Sequence, residues 1–177
     1  FAQLDGMFGV AIWDRRTQEL VLARDRLGEK PLYYAHDERR VLFGSELKSL
    51  LQSPDCPRDL NDDALRAYLA YGYVPSPYSV FAGVNKLPPA HFLRYRDGKI
   101  GLHRYWQPSL SPKTTLGEAD AAERLEELLD RAVASRLVSD VPFGAFLSGG
   151  LDSSTVVALM ARHLGQPVKT FTIGFKE

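Results

Sequence analysis

The chain has 177 residues, with 22 lysines and arginines against 22 aspartates and glutamates, so its formal net charge at pH 7 is zero. Its 45% hydrophobic and 25% charged residues are ordinary globular composition, enough for one domain or two short ones. The balance of charge speaks against a basic nucleic-acid-binding module and against an acidic disordered tail. No apolar run approaches the roughly 18 residues that a membrane-spanning helix needs. The single cysteine, Cys56, allows no intrachain disulfide and favours a reducing, cytoplasmic setting.

The first hundred residues read as β-rich. Phe8 to Trp13 and Leu20 to Ala23 are apolar runs around the polar stretch Asp14 to Glu19, a hairpin with a longer loop. Leu32 to Ala35 and Val41 to Gly44 repeat the pattern around the charged turn Asp37–Arg40. Leu47, Leu50 and Leu51 then fall at helical spacing, with Ser45 as the expected N-cap. A second helix starts at Asn61, carries Leu65, Tyr68 and Leu69 on one face, and ends at Gly72 before Pro75 and Pro77. Asp97-Gly98 between the alternating runs 91–95 and 100–105 signals a hairpin. Trp13, Trp106, Tyr33 and Tyr34 sit in strand patterns and are expected in the core.

Residues 107–117 are rich in Pro, Ser and Thr and read as a linker. Beyond it, apolar positions 121, 122, 125, 128, 129, 132, 133 and 137 define an amphipathic helix over 118–138, expected to pack on a sheet. Val141 to Leu147 suits a buried strand. A glycine turn, a helix from about Ser154 to Leu164 and a strand near 168–175 complete a βαβ unit. The opening Phe1-Ala2-Gln3 carries neither initiator Met nor leader features, and the last strand has no partner element after it. The expectation is an internal piece of a longer protein.

Ser148-Gly149-Gly150-Leu151-Asp152-Ser153-Ser154 is the most informative stretch. Consecutive glycines after a strand let the backbone turn sharply with no Cβ in the way of a ligand. Successive N–H groups can then share a concavity suited to anionic oxygens, and the unsatisfied N–H groups of the following helix add positive potential. Asp152 would repel a phosphate unless a divalent cation lay between them, and Mg²⁺ binds through one or two carboxylates plus phosphate oxygens. No lysine lies in 148–154, so the Walker A pattern is absent. The bland reading is a capped βα turn that binds nothing.

This heptad resembles the pyrophosphate-binding loop of N-type ATP pyrophosphatases. With Ser139 to Leu147 leading into it, the stretch is similar to glutamine-hydrolysing asparagine synthetases in particular. Upstream, Gly6 to Asp14, Ala23 to Leu32 and Phe43 to Lys48 resemble the later part of that family's glutaminase domain. Phe81-Ala82-Gly83-Val84 and Lys86 to His91 resemble the stretch joining its two domains. The resemblance implies an α/β fold in two parts. Residues 1–106 would be the C-terminal part of an antiparallel, β-rich N-terminal-nucleophile-type glutamine amidotransferase domain. Residues 118–177 would start a doubly wound parallel sheet of the adenine nucleotide alpha hydrolase-like kind.

The activity implied is ATP-dependent adenylation of the aspartate side-chain carboxylate, followed by amidation with glutamine-derived ammonia to give asparagine, AMP and pyrophosphate. Carried over by position, Ser148, Gly149, Gly150, Asp152, Ser153 and Ser154 hold the pyrophosphate, Leu147 and Ile173 contact adenosine through backbone atoms, and Asp152 is the candidate Mg²⁺ ligand. Aspartate, glutamine and ATP are the implied partners, with no nucleic acid or membrane; a homodimer stays open. Relatives that adenylate another carboxylate share this loop, and a nucleotide-binding regulator without catalysis is the non-enzymatic alternative.

The family's glutaminase nucleophile is an N-terminal cysteine. This chain starts at Phe1, and Cys56 lies in Ser53-Pro54-Asp55-Cys56-Pro57 without a free amine, so it is assigned no catalysis. The 177 residues alone are expected to catalyse neither half-reaction. Arg24, Asp25, Arg26 and Lys30 read either as a solvated, salt-bridged turn or, through the resemblance, as a loop near the ammonia route. The four histidines lack zinc-site spacing and are read as structural or surface residues.

Overall fold

The structure is a computed structural model describing residues 1–174. It divides into two compact units, the boundary falling between Leu110 and Ser111.

In the first unit, β1 (Gly9–Asp14), β2 (Glu19–Arg24), β6 (His91–Arg96) and β7 (Lys99–Arg104) form an antiparallel sheet in the order β1-β2-β6-β7. Both expected hairpins are present, β1 pairing with β2 and β6 with β7. At the β6–β7 turn Asp97 and Gly98 have φ of 51° and 74°, the two positive values that a tight two-residue hairpin needs. A second sheet has the order β4-β3-β5, from β3 (Tyr33–His36), β4 (Val41–Gly44) and β5 (Val84–Lys86). Strand β5 has no counterpart in the sequence reading: three residues carry too little alternation to be seen.

Alternation along β3 explains how the unit is layered. Tyr34 joins Leu20, Leu22, Leu32, Leu87 and Leu93 in a core between the two sheets. Its neighbour Ala35 points the other way, into a cluster with Leu50, Cys56 and Val84 under α1 (Leu47–Leu50). Each large apolar side chain buried in this way contributes about 1.5–3 kcal/mol. The N-cap of α1 is Glu46, not Ser45, and no side chain caps it; a single turn starting one residue later leaves the Ser45 hydroxyl out of register. Helix α2 (Asp62–Tyr71) begins as expected, with the Asn61 side chain accepting the Ala64 N–H at 3.1 Å, and ends at Gly72. The face it buries is centred on Ala64, whereas Leu69 is 83% exposed and Tyr68 is also exposed. Trp13 is 49% exposed rather than buried, because β1 is an edge strand.

In the second unit, α3 (Glu118–Ala134) packs against α4 (Leu151–His163). Arg162 reaches Glu126 at 2.7 Å and His163 Nε2 lies 2.9 Å from Asp130. Helix α3 stops four residues short of the expected end: the Ser135 N–H closes the last turn on the Arg131 carbonyl, and the Ser135 hydroxyl bonds to Ala132 O. Its packing partner is a helix rather than the expected sheet. Strands β8 (Ala145–Phe146) and β9 (Thr170–Phe171) pair in parallel and flank α4, so the βαβ unit is present. The strand expected over 141–147 shrinks to two residues, and Phe146 is 80% exposed. A two-stranded sheet is too narrow to bury its faces among the described residues. The expected 168–175 strand shrinks likewise, and Phe175 lies outside the described residues.

Candidate functional site

Leu147 follows β8 directly and donates its N–H to Phe171 O at 2.9 Å. The Thr172 hydroxyl returns a bond of 2.6 Å to Leu147 O. These two bonds set the chain leaving β8 beside the chain leaving β9, and Ile173, 78% exposed, stands on the same end of the parallel pair as Leu147. The carboxyl end of parallel strands is where open α/β sheets place ligands.

From Leu147 the chain turns through Ser148, Gly149 and Gly150. Gly149 has φ of +80°, and a Cβ built there would meet nothing within 4 Å. The position therefore demands a left-handed backbone and faces open space. Helix α4 begins at Leu151, with Gly150 as its N-cap, three residues before the start expected from the sequence. A Gly N-cap has no capping side chain, so the sequence carries no Ser or Asp signal at this helix start. Asp152 and Ser153 consequently belong to the first helical turn, not to the loop.

The hydroxyls organise the turn. Ser153 Oγ accepts the Ser148 N–H at 3.3 Å, lies 3.1 Å from Ser148 Oγ, and donates to Gly150 O at 3.2 Å. Ser148 Oγ accepts the Gly150 N–H at 3.4 Å. No side chain caps α4, so the first-turn N–H groups of Leu151, Asp152 and Ser153 keep their donor capacity. The Asp152 carboxylate is exposed beside them. The structure thus brings Ser148, Gly149, Gly150, Asp152, Ser153 and Ser154 onto one tight bend, with Leu147 and Ile173 at its strand side. Among the described residues no group of three or more His, Cys, Asp or Glu side chains forms a metal cage.

A second element, the loop 24–30, is knit more tightly than its run of charges suggests. Arg24 donates to three main-chain carbonyls, Gly28 at 2.6 Å, Lys30 at 2.7 Å and Leu87 at 2.8 Å. Asp25 is 1% exposed, and its carboxylate accepts N–H groups from Phe8, Leu27, Glu29 and Lys30 at 2.9–3.3 Å. Burial pushes its pKa up, but the N–H donors of Lys30, Glu29 and Phe8 outweigh that and hold it below the usual carboxylate value. Tyr105 donates its hydroxyl to Arg24 O at 2.7 Å. Arg24 and Asp25 therefore serve the backbone instead of forming a solvated, salt-bridged turn. Adjacent charges in a sequence do not reveal whether their partners are side chains or peptide groups, which is why the role was missed.

Cys56 is buried, its Sγ 3.6 Å from Pro57 O. His36 stacks on Tyr34, His103 on Phe92, and His163 meets Asp130.

Comparison with known proteins gives the geometry a lineage. Residues 1–106 match the glutamine amidotransferase domain family, and residues 124–177 match the asparagine synthase family. A Bacillus subtilis glutamine-hydrolysing asparagine synthetase is 37% identical over 98% of this chain, which covers 29% of that protein. A putative glutamine-hydrolysing asparagine synthetase of Methanocaldococcus jannaschii is 38% identical over 98% of the chain and 35% of its own length. The amidase chry2 of Gibberella zeae is 35% identical over 95% of the chain and 25% of its own length. The chain spans about a third or less of these curated relatives. With a glutamine amidotransferase domain in its first part and asparagine synthase sequence in its second, the chain belongs to the glutamine-hydrolysing asparagine synthetase family.

Proposed function

We propose that the chain is part of an ATP-dependent carbon–nitrogen ligase that makes asparagine, with glutamine as nitrogen donor. On this reading, residues 1–106 are the C-terminal part of the amidotransferase domain, 107–117 a linker, and 118–177 the start of a doubly wound synthetase domain. The observation that carries it is the uncapped start of α4 behind the Gly149 bend, beside the ends of two parallel strands.

The bend fits a pyrophosphate tail. Gly149 leaves space that any Cβ would narrow, and the first-turn N–H groups supply donors without lysine, joined by the hydroxyls of Ser148, Ser153 and Ser154 on rotation toward the phosphate oxygens. On this reading, main-chain atoms of Leu147 and Ile173 contact adenosine. Asp152, a single exposed carboxylate, fits Mg²⁺ held jointly with phosphate oxygens rather than by a protein cage; bound there, the ion would neutralise phosphate charge. The aspartate side-chain carboxylate attacks the α-phosphorus of ATP, the bond to the β-phosphate oxygen breaks, and pyrophosphate leaves. The donors of residues 148–154 stabilise the charge that develops on the departing group. Ammonia then attacks the acyl carbon, gives up a proton, and AMP leaves with asparagine formed. The 177 residues alone are expected to complete neither half-reaction.

Aspartate-dependent exchange of labelled pyrophosphate into ATP by the full-length protein tests this reading. Exchange is expected, and is expected to disappear in Asp152→Asn; no exchange with aspartate overturns the choice of substrate. The amidase name of the Gibberella relative favours a second reading, in which the same machinery adenylates a different carboxylate. Exchange supported by another carboxylic acid and not by aspartate would decide for it.

A further inference from the structure

A cavity of about 470 Å³ opens on the first unit beside loop 24–30, between the Pro88–Pro89 turn and the chain leaving β7. Its walls include Arg26, Arg104, His91, Trp106 and Gln107, and no acidic residue lines it. His91 and Arg104 are direct partners across the β6–β7 ladder, so an imidazole and a guanidinium share one face of the sheet at cross-strand distance. The Arg26 guanidinium carbon lies 5.7 Å from the centre of the Trp106 ring, and one of its Nη groups donates to Ala2 O at 2.9 Å. Its Nε is buried without a hydrogen-bond partner. Arg104 is steadied by the Gln107 side-chain oxygen at 3.1 Å. His91 Nδ1 lies 2.7 Å from Pro89 O; a carbonyl only accepts, so Nδ1 carries the hydrogen and Nε2 remains for another partner. Carboxylate partners in this unit go to other arginines, Glu19 to Arg94 and Asp55 to Arg40.

We propose that this cavity binds a small oxyanion, a phosphate or carboxylate group, on the guanidinium groups of Arg26 and Arg104. Guanidinium forks match such groups in geometry and charge. A buried donor without an acceptor is costly, and a turn of the Arg26 guanidinium toward the cavity would give its Nε–H the missing oxygen. Pro77, Pro88, Pro89 and Pro108 stiffen the rim, so little ordering is required on binding. The proposal is independent of the nucleotide reading, which concerns the other unit.

Calorimetric titration of the 177-residue protein with inorganic phosphate, and separately with succinate, tests it and tells the two oxyanion sources apart. Saturable binding of at least one probe is expected. Arg26→Lys, which loses the fork but keeps the charge, and Arg104→Gln are each expected to weaken it by about tenfold, and Arg39→Gln in the β3–β4 turn to leave it unchanged. The Arg104 side chain is exposed, so its variant keeps the test valid if Arg26→Lys folds poorly. No saturable binding of either probe, or affinity unchanged in Arg104→Gln, overturns the proposal.

Discussion

The carboxylate of Asp25 accepts the main-chain N–H of Phe8, seventeen residues earlier, at 3.3 Å. Three further N–H groups of its own loop converge on the same carboxylate, so one side chain ties the strand entry to the loop 24–30. Replacing it with asparagine turns an acceptor oxygen into an NH₂ facing N–H donors. Asp25→Asn should lower stability by about 2–4 kcal/mol, read as a fall in the thermal midpoint by circular dichroism. An unchanged midpoint would mean that the carboxylate organises nothing.

The same carboxylate carries a pH signature. Its folded pKa is depressed by backbone donors, so its stabilisation is complete above the unfolded value near 3.9. That stabilisation drains away as pH falls through the lower folded value. Denaturant unfolding of wild type and Asp25→Asn should therefore converge in the acid range below about pH 4, and differ by a constant amount above it.

Two glycines with the same backbone twist should respond differently to alanine. At Gly28, φ is +70° and an added Cβ would lie 2.8 Å from Pro89 Cγ and 3.0 Å from Arg24 Cζ. Backbone strain and overpacking there should together cost about 2–4 kcal/mol. At Gly149, φ is +80° with nothing in the way, so alanine should cost the backbone penalty alone, about 1–2 kcal/mol. Paired urea titrations measure the gap, and equal losses would refute the steric account of Gly28.

Asn61→Ala removes the side-chain oxygen that accepts the Ala64 N–H. The expected loss is about 1 kcal/mol, seen in chemical denaturation, with Asn61→Asp restoring most of it.

Ser153→Ala deletes the hydroxyl that links Ser148 to Gly150. This change at a half-buried position should leave folding within about 1 kcal/mol of wild type, while in the full-length protein ATP affinity falls about tenfold, the worth of one charge-assisted hydrogen bond. A variant that binds ATP normally would remove Ser153 from the proposed cradle.

What the sequence disclosed depended on range. Local signals held well: Asp97-Gly98 marked its hairpin, Asn61 and Gly72 bounded α2, and the spacing of apolar residues located α3. The glycine heptad was visible because its chemistry is contiguous. Features set by distant partners were not legible. Trp13 reads as a core residue until its strand proves to be at an edge. Strand β5 exists only because β3 lies beside it, and the Arg24–Asp25 hub depends on peptide groups from Phe8 to Leu87. The Gly150 cap escaped for a different reason: a residue without a side chain leaves no capping signature to read.

The contacts of Arg24 and Asp25 end on peptide carbonyls and N–H groups, so apart from Gly28, whose left-handed backbone excludes a side chain, the side chains of the residues they hold matter little. Leu27 is 70% exposed and lends only its N–H. That position can drift through most of the amino-acid alphabet while the knot beneath it stays tied, leaving its outward side chain available for adaptation to whatever this surface meets.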